Sequence, residues 1–373
     1  MMPILPTFFT HSNPLLLTVF YIQLVASLLG AAHASSGCDN PAQRKEWRML
    51  SGAEKQSWVD AFNCLAELPH DASHSPTVLA TDIPPVDESS SYYDDIVYLH
   101  MDLNHHVHFT GLFFPWHRWY VHQVEKALKT KCGYPGTMPY WDWTLDAPNF
   151  HDSSFWDDTF IGGWGQADHD DYGITTGGFA TQMRAYPTPH HIRRQYTLRP
   201  FTDFPEFEPN PEKMANTSFT REEVDRLVNG YAGDFNGLQK DLESFEGMHS
   251  AVHNILGGDL KGACPESDIG RALYPDCSHG SKWSPNDPIF FLHHAMLDKV
   301  WSDWQHRRPE NRMAFYGGSV KSIQNASIYE QYPNGAPPFL QLDSPVPGDG
   351  LWEGTTIGEV METQGRYLCY VYV

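Results

Sequence analysis

Four stretches of the chain repeat their apolar residues at helical spacing. Residues 92–103 place Ile96, Val97 and Leu99 on one face, and residues 116–129 follow Pro115, whose fixed φ suits a helix entry. Residues 237–256 and 290–305 show the same period. A shorter helix is expected over 221–228, with Thr220 as N-cap and Glu223 closing a capping box. Between them run long segments, 73–91, 147–211 and 257–288, rich in Gly, Pro, Asp and aromatic residues. Unpatterned stretches of this length are uncommon in compact domains and tend to be functional or disulfide-braced. The tail from Pro309 alternates turns with short β-like runs and closes on Tyr367-Leu-Cys-Tyr-Val-Tyr-Val. No internal repeat interrupts the pattern. It predicts one mainly α domain over residues 35–373, with loop-built walls and short β segments.

Composition narrows the class. With 12 Trp, 18 Tyr and 21 Phe the chain can bury a large core, which excludes intrinsic disorder. Lys+Arg is 25 against Asp+Glu 46, a net charge of −21. Nucleic acid and anionic membranes both require positive counter-charge, so neither is an expected partner. Residues 1–34 contain no Lys, Arg, Asp or Glu, and their apolar run from Leu15 to Leu29 precedes a small-x-small site at Ala32-His33-Ala34. That run is shorter than the roughly 20 residues of a membrane span, so it reads as a secretory signal peptide and the protein as secreted. An even number of cysteines, 6, fits disulfides in an exported chain. Cys264 and Cys277 bracket a short loop and form the one pair that proximity favours. Asn216-Thr-Ser and Asn325-Ala-Ser are glycosylation sequons.

Histidine is the outlier, at 20 copies. His100 lies near the end of one predicted helix, His117 at the start of the next and His108 in their connection. His249 and His253 are an i, i+4 pair on one helix face, and His294 opens the last helix. Asp298 follows His294 by one turn and could accept the free ring N–H of a ligand histidine, which selects His294 over His293. Two triads of neutral imidazoles are the ligand supply of a dinuclear copper centre. Copper accepts imidazole, whereas magnesium and calcium want oxygen.

Two longer motifs then stand out, Phe113-Phe-Pro-Trp-His-Arg-Trp-Tyr120 and Asp287-Pro-Ile-Phe-Phe-Leu-His-His-Ala-Met-Leu-Asp298. They resemble the two copper signatures of the tyrosinase and catechol oxidase family. The resemblance implies a four-helix bundle around two copper ions. His100, His108 and His117 would hold one ion; His249, His253 and His294 would hold the other. It also implies that Phe290 is the aromatic that stacks on substrate, with Phe113 in the matching place beside the first ion. Beyond the copper ligands it implies no further catalytic side chain.

The departures carry their own expectations. Members with a thioether crosslink have a cysteine near the second ligand of the first triad, but here His106 stands two residues before His108, so an uncrosslinked His108 is expected. Tyr370-Val-Tyr372 resembles the end of the family's catalytic domain, and a short form active without proteolysis is expected. Arg44 is either the partner of that tyrosine motif or a plain surface arginine. Glu243 and Glu246, both ahead of His249, are each either a helper in phenol deprotonation or a solvated carboxylate.

The expected activity is oxidation of o-diphenols to o-quinones with reduction of O2 to water, by a monomer acting on small phenols. Efficient tyrosinases carry Asn directly after the first ligand of the second triad; here Ser250 follows His249, and Asn254 follows His253 instead. A hydroxyl positions water less well than a carboxamide, so weak monophenol hydroxylation is expected. The alternatives are a tyrosinase with substantial monophenolase activity and a hemocyanin-like O2 carrier. A zinc hydrolase is disfavoured, because Ser250 occupies the Glu position of H-E-x-x-H.

Overall fold

The computed structural model describes residues 38–169, 171–202 and 207–373; the signal peptide read over residues 1–34 lies outside them. Near the N-terminus, strand β1 (Ala42–Arg44) leads into helix α1 (Gly52–Glu67). Ser51 and Glu54 close a reciprocal capping box at its start. The same device, Ser91 with Asp94, starts α2 (Tyr92–Asp102). Helix α3 (Phe113–Cys132) stops at Gly133, whose φ of 68° is the left-handed C-terminal turn that glycine adopts without strain. Then come α4 (Arg221–Asn229), α5 (Phe235–Glu243), α6 (Met248–Leu256) and α7 (Ile289–Arg307). The chain ends in β2 (Tyr370–Tyr372), which pairs in parallel with β1. Buried apolar residues from Trp47 to Tyr370 form one continuous core. The mainly α architecture with long loops agrees with the pattern read from the sequence.

Three details differ from that reading. Helix α1 was not anticipated, although Trp58, Val59, Phe62 and Leu65 line its buried face. The helix expected over 237–256 is broken between Glu243 and Met248. At Gly247 a β-carbon would lie 2.4 Å from the Asp241 carbonyl oxygen and 2.5 Å from that of Leu242, so only glycine lets the chain fold back there. The break lets α5 and α6 address different parts of the core, and it takes Glu246 off the helix. At α4, Thr220 accepts the Glu223 N–H, but the Glu223 carboxylate pairs with Arg226 rather than closing a box.

All six cysteines are paired, as Cys38–Cys369, Cys64–Cys132 and Cys264–Cys277. The second bond ties α1 to the end of α3, and the first locks the β1–β2 ladder. No sulfur is left to modify His108. Among the described residues, no helix is long and apolar enough to cross a membrane.

Arg44 is fully buried and not a surface residue. Its guanidinium lies 3.6 Å over the Tyr370 ring, reaches Glu125 at 3.1 Å and Asp298 at 3.5 Å, and donates to the Tyr372 hydroxyl. The terminal strand is thus bolted to the helices through charge.

Candidate metal centre

Helices α2, α3, α6 and α7 deliver two histidine groups to one buried place. His100, His108 and His117 form the first; His249, His253, His293 and His294 form the second, with the candidate ligand atoms of each group within 4.8 Å of one another. Neither group contains a carboxylate. The groups face each other: the His117 and His294 rings stack at 4.4 Å, and His108 and His249 at 6.0 Å.

Backbone carbonyls orient the rings. His100 Nδ1 lies 2.7 Å from the Lys282 oxygen, His108 Nδ1 3.1 Å from Asn104, His117 Nδ1 2.7 Å from Phe113 and His253 Nδ1 2.6 Å from Leu260. A carbonyl can only accept, so each Nδ1 carries the proton and each Nε2 keeps its lone pair. The Nε2 atoms of His100, His108 and His117 are buried without any partner. Burial, and then neighbouring imidazoles, hold these rings neutral. The His100 pKa is lowered to about 3 and that of His253 to about 4; the other ring pKa values also fall well below the usual imidazole range. Unpaired, neutral imidazole nitrogens converging in a buried site fit copper.

His293 belongs to the cluster in space but not in chemistry. Its Nδ1 accepts the Trp143 indole N–H at 3.2 Å. A neutral ring that accepts at Nδ1 must carry its proton on Nε2, leaving no lone pair for a metal. His294, by contrast, turns its Nε2 to within 3.4 Å of His253 Nε2.

Asp298 is not the partner expected for His294. The His294 Nδ1 has no hydrogen-bond partner, and the Asp298 carboxylate points the other way. It accepts from Arg118 Nε at 2.5 Å and from the hydroxyls of Tyr370 (2.6 Å) and Tyr372 (2.5 Å). The physical reason is charge: a buried carboxylate gains more from two guanidinium groups than from a neutral ring N–H. Burial would raise its pKa, but Arg118 and Arg44 hold it below the usual value.

The two phenylalanines wall the site from opposite sides. Phe290 has its ring 4.1 Å from His294 and 5.1 Å from His100, and Phe113 lies 4.8 Å from His249 and 4.9 Å from His117. Phe290 is fully buried beside both histidine groups. Ser250 is half-buried on α6 and Asn254 is buried one turn further on.

Sequence reasoning missed how His108 is held. Its neighbour Phe109 has a φ of 55°, the left-handed region that costs a bulky residue energy. Two α5 side chains clamp this strained turn: Glu243 accepts the Phe109 N–H at 2.6 Å, and Gln239 donates to the Thr110 carbonyl at 2.7 Å and to Glu243 at 2.9 Å. Glu243 is buried, and desolvation pushes its pKa up to about 8. Of the two glutamates left open, Glu243 is therefore part of the wall and no solvated carboxylate, while Glu246 accepts from Asn210. No local motif announces Gln239, because its role depends on a contact more than a hundred residues away in sequence.

The comparisons agree with this geometry. Residues 90–307 match the family model described as the common central domain of tyrosinase. The tyrosinase-like protein phomQ2 of Diaporthe leptostromiformis is 30% identical, over 90% of this chain and 74% of its own length. N-acetyl-6-hydroxytryptophan oxidase ivoB of Emericella nidulans is 27% identical, over 90% and 93%. The solved structure of a mutant polyphenol oxidase from Thermothelomyces thermophila superposes with a TM-score of 0.64 and 26% identity, covering 95% of both chains.

Proposed function

The chain belongs to the tyrosinase family, and from that premise we propose that it is a secreted diphenol oxidase, one domain over residues 35–373, turning o-diphenols into o-quinones. The observation that carries this reading is the set of unpaired imidazole nitrogens facing one another across a carboxylate-free, buried gap. In this reading His100, His108 and His117 hold one copper ion, and His249, His253 and His294 hold a second. The copper pair, when bound, supplies the route for two electrons from the diphenol to O2.

The chain's own residues do the rest. Lys282, Asn104, Phe113 and Leu260 carbonyls fix the tautomers that leave lone pairs facing inward. Phe113 and Phe290 keep water from the space between the triads. The first test is turnover of a simple catechol by copper-loaded protein: quinone formation supports the oxidase, and reversible O2 binding without turnover would point to a carrier. A hydroxyindole belongs in the substrate panel, given the relative named for oxidising N-acetyl-6-hydroxytryptophan.

Monophenol hydroxylation demands loss of the phenol proton at the metal, which a well-placed base or water assists. Ser250 after His249 is a short positioner, so hydroxylation should be much slower than diphenol oxidation. Ser250→Asn should raise the ratio of monophenol to diphenol rates. Equal rates on both substrates in the unaltered protein would refute the argument from Ser250.

The α5 clamp should govern copper retention. Glu243→Ala leaves the Phe109 N–H buried without an acceptor, at a cost of about 1–3 kcal/mol. Copper release to a chelator should accelerate, and Glu243→Gln, which keeps an acceptor oxygen, should restore slow release. Unchanged release kinetics in Glu243→Ala would show that the turn is held by other contacts.

Export through the leader in residues 1–34 agrees with three disulfides. Of the two sequons, Asn325 is exposed, whereas the Asn216 amide donates to the Ala147 carbonyl at 2.8 Å. A glycan attaches through that amide nitrogen, so Asn325 is the site open to modification.

A further inference from the structure

Outside the two imidazole groups, one more set of ligand-type side chains converges among the described residues. His70 and His74 lie in the segment after α1, and Asp95 is in the first turn of α2. We infer that His70, His74 and Asp95 form a third metal site that takes a divalent zinc or copper ion.

The geometry comes first. Asp95 Oδ1 lies 2.5 Å from His70 Nδ1 and 3.3 Å from His74 Nδ1, and one ligand atom from each of the three residues falls within 4.8 Å of the others. The second oxygen of Asp95 is held by the Asp71 N–H at 2.7 Å, which fixes the carboxylate plane and leaves Oδ1 for the histidines. Zinc bonds of roughly 2.0–2.2 Å to N and O in a tetrahedral site set donor atoms about 3.4 Å apart. The His74–Asp95 pair already has that spacing, and His70, the outermost of the three, reaches it by a small side-chain movement.

Charge supplies the second argument. The Asp95 side chain is 1% exposed and its ion-pair partners are these two histidines. A carboxylate buried this deeply is costly unless a cation compensates it. His74 adds a second buried polar atom at the cluster: its side chain is 0% exposed and its Nε2 has no hydrogen-bond partner. A divalent ion at Asp95 Oδ1 neutralises the carboxylate and takes a lone pair from each Nδ1, the ring protons that the carboxylate accepts in the metal-free protein being released or moved to Nε2.

Access and consequence follow from position. His70 borders an open cleft of about 560 Å³, also lined by Pro69, Asp87 and Asp94, through which an ion can enter and a water can complete the coordination. Two imidazoles and one carboxylate with an open position is a donor set that zinc and copper both accept. Occupancy would staple the chain after α1 to the start of α2, the helix that carries His100 five residues further on.

The test uses the copper-saturated full chain. Protein is equilibrated with zinc sulfate, desalted and analysed for both metals by plasma mass spectrometry. The expected result is one zinc per chain in addition to the copper, with the zinc lost in His70→Ala while copper content and catechol turnover stay at the level of the unaltered protein. Asp95→Asn should also lose the zinc, but it can disturb the turn at Asp71, so His70→Ala, at the border of the cleft, is the deciding one. Cobalt in place of zinc should give a visible d–d band that vanishes with the same substitution. Absence of retained zinc in the unaltered protein, or equal zinc in His70→Ala, overturns the site. Either outcome leaves the dinuclear copper reading untouched, because that reading is scored separately by copper content.

Discussion

Replacing His294 by alanine is expected to abolish catechol oxidation and to strip copper from the second triad, while His293→Ala keeps its copper. The two residues are adjacent and both buried, and by proximity alone they fall in one group. Proton placement separates them. The Trp143 indole N–H occupies His293 Nδ1, which puts the ring proton on Nε2 and closes that ring to a metal. His294 turns its Nε2 towards His253 and stacks on His117, bridging the two groups. Loss of a ligand should cost more than the roughly 10–100-fold typical of outer partners, whereas His293→Ala should stay within that range. Metal analysis alongside turnover decides the matter. A fully active His294→Ala protein, or a copper-free His293→Ala protein, would reverse the assignment.

Asp298→Ala should be the most destabilising single change at the terminal junction. One carboxylate there accepts from Arg118, Tyr370 and Tyr372 and pairs with Arg44 at 3.5 Å. Removing it leaves Arg118 buried over the Trp301 ring with only neutral oxygens of Val360, Met361 and Gln305 as acceptors. Breaking a buried pair by deleting one partner costs about 3–5 kcal/mol. For a chain of this size that corresponds to a fall in Tm on the order of 10 °C. The pH dependence has a definite sign. The folded-state pKa of Asp298 is lowered, so its contribution is fully present above the ordinary carboxylate value of about 3.9 and is lost as pH falls through the folded value. The stability gap between the unaltered protein and Asp298→Ala should therefore be widest at neutral pH and shrink in acid. Calorimetry at pH 7 and pH 3 measures both limbs. An unchanged Tm at pH 7 would mean that Arg44 and Arg118 are satisfied without the carboxylate.

Much of the site was legible because its ligands sit in local patterns. His249 and His253 share a helix face by spacing alone, and the Phe113–Tyr120 and Asp287–Asp298 motifs are continuous. The prediction for Asp298 failed because it used the same local logic. One turn of separation puts Asp298 near His294 along the helix, but the carboxylate follows the nearest cations, and Arg44 is more than 250 residues away in sequence. The broken helix at Gly247 escaped notice for a related reason: its apolar period continues across the break, while the carbonyls that demand glycine appear only when the chain folds back.

The sequence by itself determined the helical character of the segments that carry the histidines, the six ligand histidines proposed here and the class of metal, since these depend on periodicity and on the donor atoms each residue type owns. Tertiary structure decided proton placement, through carbonyls and an indole that reach each ring from elsewhere in the chain. It also decided the partners of Asp298, the disulfide map and the Gln239–Glu243 clamp on the turn beside His108. Those are properties of pairs distant along the chain, and a hydrogen bond or a buried charge is settled only when folding brings both partners out of water together.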